Sequence, residues 1–337
     1  MSKRSLFRHS FAFRAAATWI AASGLGGAIS ANAHDYSALV TASKFDELDR
    51  VTQAALATNP GNADALLGRV DLILAQGAES RVDEAVKLAE QCVQVQPQRS
   101  ECHDALGNAL GNKALRAGIF SAMGYAGRIR DSFKKAVDLD PDNLSARFSL
   151  LQFYQQAPGV MGGGKDQALG LVAQTQKINA DAARLMLGSL DLSDKDIAKA
   201  ETAGMAALPL GAAELQDQQR RLLMGVGSSY VQAKKYADAT RVFGEVQRRF
   251  PQSESGSYGM GRTLQELGKP VEALAQFERA LAVKATAITH YRMAQSWVAL
   301  ADKPKAIAAF EKAIAFKPEL GKKQREDAQE QLKSLKG

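Results

Sequence analysis

A repeat with a period of about 34 residues restricts the fold of this 337-residue chain more than any other feature. Windows that start at Arg220, Glu254 and Ala287 carry the same residue classes at the same offsets. The residues at positions 8, 20 and 24 of the three windows are Gly227, Ala239 and Phe243, then Gly261, Ala273 and Phe277, then Ala294, Ala306 and Phe310. Such a period predicts an array of small units, each of which covers an apolar face of its neighbour.

The units are expected to be helical. After Ala33 apolar residues recur three and four positions apart, Pro or Gly interrupts the pattern at short intervals, and strand-like alternation is absent. The chain is 46% hydrophobic and has two cysteines, which excludes a disordered tail, a collagen and a disulfide mini-protein. Small residues at positions 8 and 20 would let helices approach closely, and the large residue at position 24 would fill the remaining space.

This pattern resembles the tetratricopeptide repeat, a helix-turn-helix unit of about 34 residues whose helices are called A and B. Looser copies carry Leu67-Gly68, Leu106-Gly107, Leu150 and Leu187-Gly188 at the matching places. The resemblance implies an all-α, right-handed solenoid of about seven to eight helix pairs. We expect irregular repeats over residues 34–216, three regular repeats over 217–320, and a capping helix over 321–337.

The amino terminus has the pattern of a secretory signal peptide. Lys3, Arg4, Arg8 and Arg14 precede an apolar run and the sequence Ala31-Asn32-Ala33, and no acidic residue occurs before Asp35. Cleavage after Ala33 would leave 39 of the 43 basic residues against 36 acidic ones, so the net charge would fall from +7 to +3. We therefore expect a periplasmic protein without a membrane span after cleavage, and the overall charge does not indicate a nucleic-acid partner.

Two units exceed the family length between their helices. The unit that starts at Ser100 carries an apolar excess with Phe120, Met123 and Tyr125, and the next carries a glycine-rich segment with Gly162, Gly163, Gly164 and Lys165. Turns between helices A and B emerge along one edge of such a solenoid, so the two segments should be neighbours. They either form a binding edge or extend the helices and pack that edge.

Candidate catalytic features are scarce. Residues 159–166 nearly spell a phosphate-binding loop, but Asp166 replaces the hydroxyl that would hold Mg²⁺ and the preceding segment reads as helix rather than strand. Glycines before a helix could still bind an anion near Lys165. No metal-ligating or nucleophile motif occurs, so we expect no cofactor, no metal and no enzymatic activity.

The two cysteines lie close together in the sequence, near the end of one helix B and the start of the next helix A. In an oxidising compartment Cys92 and Cys102 could form a disulfide, and the alternative is two buried thiols, because bonding requires Cα atoms within about 7 Å. Either role would be structural.

In tetratricopeptide proteins, helix A positions 2, 5, 9, 12 and 13 line an inner groove in which peptide segments often bind. Transferred to this chain, these positions give Arg69, Asn108, Phe148, Gln152, Arg221, Met224, Tyr258, Arg262, Tyr291 and Gln295. Aromatic, Arg and amide side chains suit a protein-binding surface, and Tyr258, Arg262 and Tyr291 form its densest group. The carboxylate clamp of chaperone-binding members is not reproduced, because Asp104 stands where its Lys should be.

These features favour a non-enzymatic scaffold that docks an envelope protein or peptide in the groove, in cell-envelope assembly or secretion. Two alternatives remain open: an accessory for polysaccharide binding or export, and an enzyme that uses the glycine-rich loop 159–165. The sequence leaves the partner and the oligomeric state undetermined.

Overall fold

The computed structural model describes residues 36–77, 79–116, 119–208 and 213–337. Within these ranges all regular structure is helical: α1 Ser37–Thr41, α2 Phe45–Thr58, α3 Ala63–Gln76, α4 Val82–Val95, α5 Ser100–Arg116, α6 Ile119–Leu139, α7 Leu144–Gln156, α8 Lys165–Gln176, α9 Ala180–Ser193, α10 Ile197–Met205, α11 Ala213–Gln232, α12 Tyr236–Arg249, α13 Ser255–Glu266, α14 Pro270–Val283, α15 Ala287–Ala299, α16 Lys303–Ala315 and α17 Lys322–Lys336. Short 3₁₀ turns occupy Glu79–Arg81 and Gly159–Met161.

The helices from α3 to α16 form seven antiparallel A–B pairs, which α1 and α2 precede and α17 follows. Each helix packs on its neighbours in sequence, and contacts between successive A helices (α3, α5, α7, α9, α11, α13 and α15) recur along the whole array. Within the described ranges, successive B helices have few such contacts. The A helices therefore line one continuous surface, here called the inner face, and the predicted all-α solenoid is confirmed.

Close approach at position 8 explains the repeat pattern. A Cβ built at Gly227 would lie 2.5 Å from the ring of Phe243, and one at Gly261 would lie 2.5 Å from the ring of Phe277. Both rings are fully buried. The glycine is required here because the aromatic ring occupies the space that a side chain would need.

Local signals set where the helices begin. Asn62, Asn143 and Asn179 cap α3, α7 and α9, and each side-chain oxygen accepts a hydrogen bond from the backbone N–H three residues on. This satisfies one of the amide groups that a helix start leaves unpaired. Repeated Asn caps thus fix the start of three A helices on the inner face.

The A–B turns divide the array. In pairs four to seven each turn has one residue in the left-handed region, namely Lys195, Lys234, Gly268 and Ala301, with φ between 57° and 70°. The first three pairs differ: the first also has a left-handed residue, Gly77, but a 3₁₀ turn follows it, long helices α5 and α6 project together in the second, and a glycine loop joins α7 to α8 in the third. Four consecutive pairs, from the fourth to the seventh, thus share one turn geometry.

The excess of the second pair is helical, so this segment extends the two helices, which is one of the alternatives that the sequence left open. α5 spans 17 residues and α6 spans 21. Gly124 and Gly127 lie within α6, where an added Cβ would meet nothing within 4 Å. The two glycines lower the stability of the projecting helix but do not interrupt it.

The two ends of the array approach each other. A Cβ on Gly77, in the turn of the first pair, would lie 3.8 Å from Cβ of Pro318, which follows the seventh pair. The segment after α16 thus reaches the edge of the first pair. No helix in the described ranges is both long and apolar enough to cross a bilayer.

Candidate functional site

The inner face carries a cluster of aromatic, sulfur and guanidinium groups on α11 and α13, here called the Arg262 patch: Met224, Ser228, Tyr258 and Arg262. Nη1 of Arg262 donates to Oγ of Ser228, 3.4 Å away, across the two helices. Tyr258 precedes Arg262 by four residues, so both share one helix face. The Tyr258 ring lies 6.2 Å from that of buried Phe277, and all four patch residues are partly exposed.

Tyr291 lies on the next A helix and is covered by the carboxyl-terminal helix. It is only 6% exposed, and its hydroxyl donates to Oδ2 of Asp327 in α17, 2.6 Å away. Gln295 donates to the same hydroxyl over 2.8 Å. Burial and the bond to Asp327 raise the pKa of Tyr291 well above its usual range. The groove expected at Tyr291 and Gln295 is thus occupied by the chain's own tail.

Buried polar atoms without a hydrogen bond lie on the A helices of the fourth, sixth and seventh pairs within the described ranges. Among the described residues, the fully buried side-chain N and O atoms without a hydrogen bond are Nε and Nη2 of Arg184, Oε1 of Gln265 and Nε of Arg292. Gln265 nevertheless donates to the Arg292 carbonyl and to Oγ of Ser296, both 2.7 Å away. Buried polar atoms without partners are rare in native proteins, so their placement on α9, α13 and α15 marks this part of the inner face.

The amino-terminal part of the inner face is polar and acidic. Asn108 donates to Asp104 over 3.2 Å, and Oγ of Ser145 donates to the same carboxylate over 3.0 Å. Burial raises the pKa of Asp104 to about 6. This carboxyl group bridges α5 and α7, and it fills the position where a clamp lysine would stand.

Two other sequence candidates on α7 differ in exposure. Phe148 is partly buried and packs against the cores on both sides of its pair, whereas Gln152 is exposed. Nearby, Nε2 of Gln155 donates to the hydroxyls of Ser189 and Ser193, each 3.1 Å away. Of these residues, Gln152 is the one presented to solvent.

Two candidate arginines are engaged in ion pairs. Arg69 is 12% exposed and pairs with Asp49 at 3.0 Å and Glu84 at 3.2 Å. Arg221 pairs with Asp217 on its own helix. Arg69 therefore ties α3 to α2 and α4, which is a structural role.

The glycine-rich loop folds back on itself. The N–H groups of Gly162, Gly163 and Gly164 donate to the carbonyls of Gly159, Pro158 and Tyr154 at 2.9, 3.2 and 2.8 Å. A Cβ on Gly163 would lie 1.9 Å from the carbonyl oxygen of Ala157. Because these N–H groups are already used, they cannot cradle a phosphate as a nucleotide loop does.

A small open cavity of about 250 Å³ lies beside this loop, lined in part by Tyr154, Pro158 and Ser193. Lys165 stands at its edge, and its Nζ lies 2.5 Å from Oδ2 of Asp194. That hydrogen bond raises the pKa of Lys165, so the amine stays protonated. It is suited to an exposed ion pair and not to nucleophilic chemistry.

The extended second pair and the glycine loop are neighbours, as expected. Arg130 of α6 lies against Gly162, and Tyr125 and Met161 pack on the same core. Met123 is 51% exposed. The side chain of Phe120 lies outside the described part of the chain.

Cys92 and Cys102 form a disulfide between α4 and α5, with Cα atoms 5.3 Å apart. Both residues are fully buried. The bond joins helix B of the first pair to helix A of the second, so its role is structural. Residues 1–33, assigned to the signal peptide, lie outside the described residues.

Asp327 and Arg292 lie at or beside the candidate site, and the repeat pattern does not mark either of them. Asp327 belongs to a polar helix outside the repeat register, and the repeat gives no rule for where that helix docks. Arg292 was overlooked because it falls at position 6, outside the positions transferred from the family.

No family model matches the sequence, and no curated protein matches it. Solved structures with a similar arrangement include a tetratricopeptide repeat protein from Parabacteroides merdae, which is 14% identical and matches over 89% of this chain and 95% of its own, with a TM-score of 0.43. PilF of Pseudomonas aeruginosa is 16% identical over 68% of this chain and 99% of its own, with a TM-score of 0.41. YrrB, described as a TPR protein with an unusual peptide-binding site, is 17% identical over 73% of this chain and 100% of its own, with a TM-score of 0.31.

Proposed function

We propose that this chain is an exported, non-enzymatic scaffold that binds a segment of an envelope protein on its inner face. The Arg262 patch carries the proposal, because it combines a partly exposed tyrosine, a methionine and an arginine on two adjacent A helices. Aromatic, Met and Arg side chains are enriched in protein-binding surfaces. An extended or helical segment would lie across successive A helices.

Export is supported by two features. The first is the basic and apolar segment before Ala33. The second is the buried disulfide, since such bonds persist in oxidising compartments. Fractionation of cells and amino-terminal sequencing test this part: a periplasmic protein that begins at His34 supports it, and an intact cytoplasmic protein contradicts it.

Site-specific photocrosslinking tests the binding role. A photoreactive amino acid at Ser228 samples the inner face, and the same group at exposed Arg279 on α14 samples a B helix as the control. We expect a discrete envelope protein to crosslink at Ser228 and not at Arg279. Equal crosslinking at both positions, or none at Ser228, would contradict a binding site on the inner face.

The enzymatic alternative at the glycine-rich edge makes a different prediction. Lys165 is exposed and ion-paired, and the loop N–H groups bond within the loop. Lys165→Ala should leave the cellular phenotype of a correctly folded protein unchanged. Loss of that phenotype with unchanged circular dichroism would favour a catalytic role instead.

A further inference from the structure

The arginines of the carboxyl-terminal A helices fall into two groups. Arg184 pairs with Asp181, and Arg220 and Arg221 both pair with Asp217. For Arg262 and Arg292, no carboxylate in the described ranges lies within ion-pair distance. Arg292 is held by a bond to Gln295 and lies over the Tyr291 ring, whereas the bond of Arg262 is the 3.4 Å contact with Ser228.

A guanidinium group in a partly buried site normally pairs with an anion. It has five N–H donors arranged as a fork, and a carboxylate can accept two of them in parallel. The weak bond to Ser228 leaves most of the Arg262 donors uncommitted. Removal from water strengthens such a pair relative to one on the open surface.

The next A helix already holds a carboxylate. Asp327 of α17 accepts the Tyr291 hydroxyl at 2.6 Å and a bond from Gln331 at 2.7 Å. Tyr258 and Tyr291 occupy the same position of consecutive repeats. The inner face thus accommodates a carboxylate at the seventh pair, supplied by the chain itself, and presents Tyr258 and Arg262 at the sixth pair.

We propose that Arg262 binds an Asp or Glu side chain of the partner segment, with an adjacent apolar side chain of that segment packed on Met224 and Tyr258. This inference rests on the proposed binding function and specifies the chemistry of the ligand. It differs from the clamp of chaperone-binding relatives, because the groups come from the fifth and sixth pairs and include no lysine. A peptide fits better than an acidic polysaccharide, since Met224 and Tyr258 offer apolar contact area beside the charge.

A display library of random dodecapeptides, selected on the full mature chain, provides the probe. The peptide that binds most tightly is then synthesised in two versions. The acidic peptide keeps its Asp and Glu residues, and the amide peptide has Asn or Gln in their place. Binding is measured to wild type, to Arg262→Gln, and to Arg279→Gln, which removes the same charge from exposed α14. Circular dichroism and thermal unfolding confirm that the variants are folded.

We expect selected peptides to be enriched in Asp or Glu beside an apolar residue. Arg262→Gln should weaken binding at least tenfold, while Arg279→Gln should change it less than twofold. The amide peptide should bind wild type and Arg262→Gln equally weakly, because removal of either group already removes the interaction between them.

Four results would overturn the inference. Groove-binding peptides without acidic residues, or equal affinity of Arg262→Gln and wild type, would reject the carboxylate partner and leave the proposed binding function intact. Failure to select any peptide would reject both. Saturable binding of alginate, a polymer of uronic acids, that depends on Arg262 in the absence of peptide binding would replace the peptide by a polysaccharide.

Discussion

Pairs five to seven and the first three pairs hold the same architecture by partly different means. In pairs five to seven a buried phenylalanine at position 24 fits against a glycine or alanine of helix A, as with Phe243 and Gly227. In the first three pairs a disulfide joins α4 to α5, and buried polar bonds cross the next interface. There Asn143 donates to Ser100, which donates to the Ala136 carbonyl, both over 2.8 Å.

The difference shows which part of the repeat the fold requires. Helix pairing and the contact between successive A helices are maintained throughout, whereas the residues that fill the interface vary. The second pair keeps the phenylalanine and glycine fit, between Phe133 and Gly107, and covalent and polar links to its two neighbours add to the stability that this packing supplies. Pairs five to seven can thus be recognised from the sequence pattern, whereas the first three pairs depend also on specific bonds that the pattern does not show.

The largest expected effect is at Phe243, which lies between two glycines. A Cβ at Gly227 or Gly259 would come within 2.5 Å of its ring, whereas Phe133 in the second pair has one such neighbour, Gly107. Phe243→Ala should lower the free energy of unfolding by about 3 to 5 kcal/mol, because it leaves a cavity between helices held apart on both sides. Urea denaturation measures this, and Phe133→Ala should cost less. A loss below about 1 kcal/mol for Phe243→Ala would contradict the repeat register.

Loss of the disulfide should have a slightly smaller and local effect. Replacing both Cys92 and Cys102 by Ala should cost about 2 to 3 kcal/mol, because the bond closes a short loop in the unfolded chain. Hydrogen exchange should accelerate in α3 to α6 and remain unchanged in α13 to α16, since each pair contacts mainly its neighbours along the array. Equal acceleration along the array would show that the two regions unfold as one unit.

Asp104 should make the amino-terminal region less stable as the pH rises. Burial raises its pKa from 3.8 to about 6, so the folded state holds the proton more tightly than the unfolded state. The free energy of unfolding should therefore fall between about pH 4 and pH 6, by on the order of 2 kcal/mol. Urea denaturation across this range should show that Asp104→Asn removes the slope. An identical slope in both proteins would contradict this role.

Glu245 should change the free energy of unfolding with pH in the direction opposite to Asp104, and this is the smallest of the expected effects. Hydrogen bonds from Arg248 and Arg249 lower the pKa of Glu245 to about 2, so its contribution is complete above about pH 4.5 and is lost as the pH falls toward 2. Arg248 is largely solvated, so we expect less than about 1 kcal/mol. Comparison of Glu245→Gln with wild type at pH 3 and pH 6 measures it. Stabilisation of wild type on acidification relative to the variant would reverse the expected sign.

Much of the fold could be predicted because the repeat encodes packing directly. Gly227 and Phe243 recur with a fixed offset, and this offset fixes which helix faces meet. The second pair was harder to predict because glycine is a poor helix former, while the structure places Gly124 and Gly127 inside α6, where an added Cβ would meet nothing within 4 Å. Sequence shows that a glycine is present and does not show that the helix continues past it.

The sequence predicted which face of the array carries the candidate site better than it predicted which residues of that face are exposed. Tyr258 and Arg262 lie on the inner face as the register indicated. Tyr291 occupies the same register position as Tyr258 and is covered, because α17 places Asp327 on its hydroxyl. A repeat pattern assigns equivalent positions equal roles, and only the tertiary fold shows which of them is occupied by another part of the chain.

The approach of Gly77 to Pro318 makes the curvature of the array measurable as one distance. Each pair contacts mainly its neighbours along the array, so small changes of angle at successive interfaces add along the chain. Their sum is greatest between the first and the last pair, where the two ends now lie close together. A pair of spectroscopic labels near these residues would therefore register a straightening or tightening that is too small to detect at any single interface.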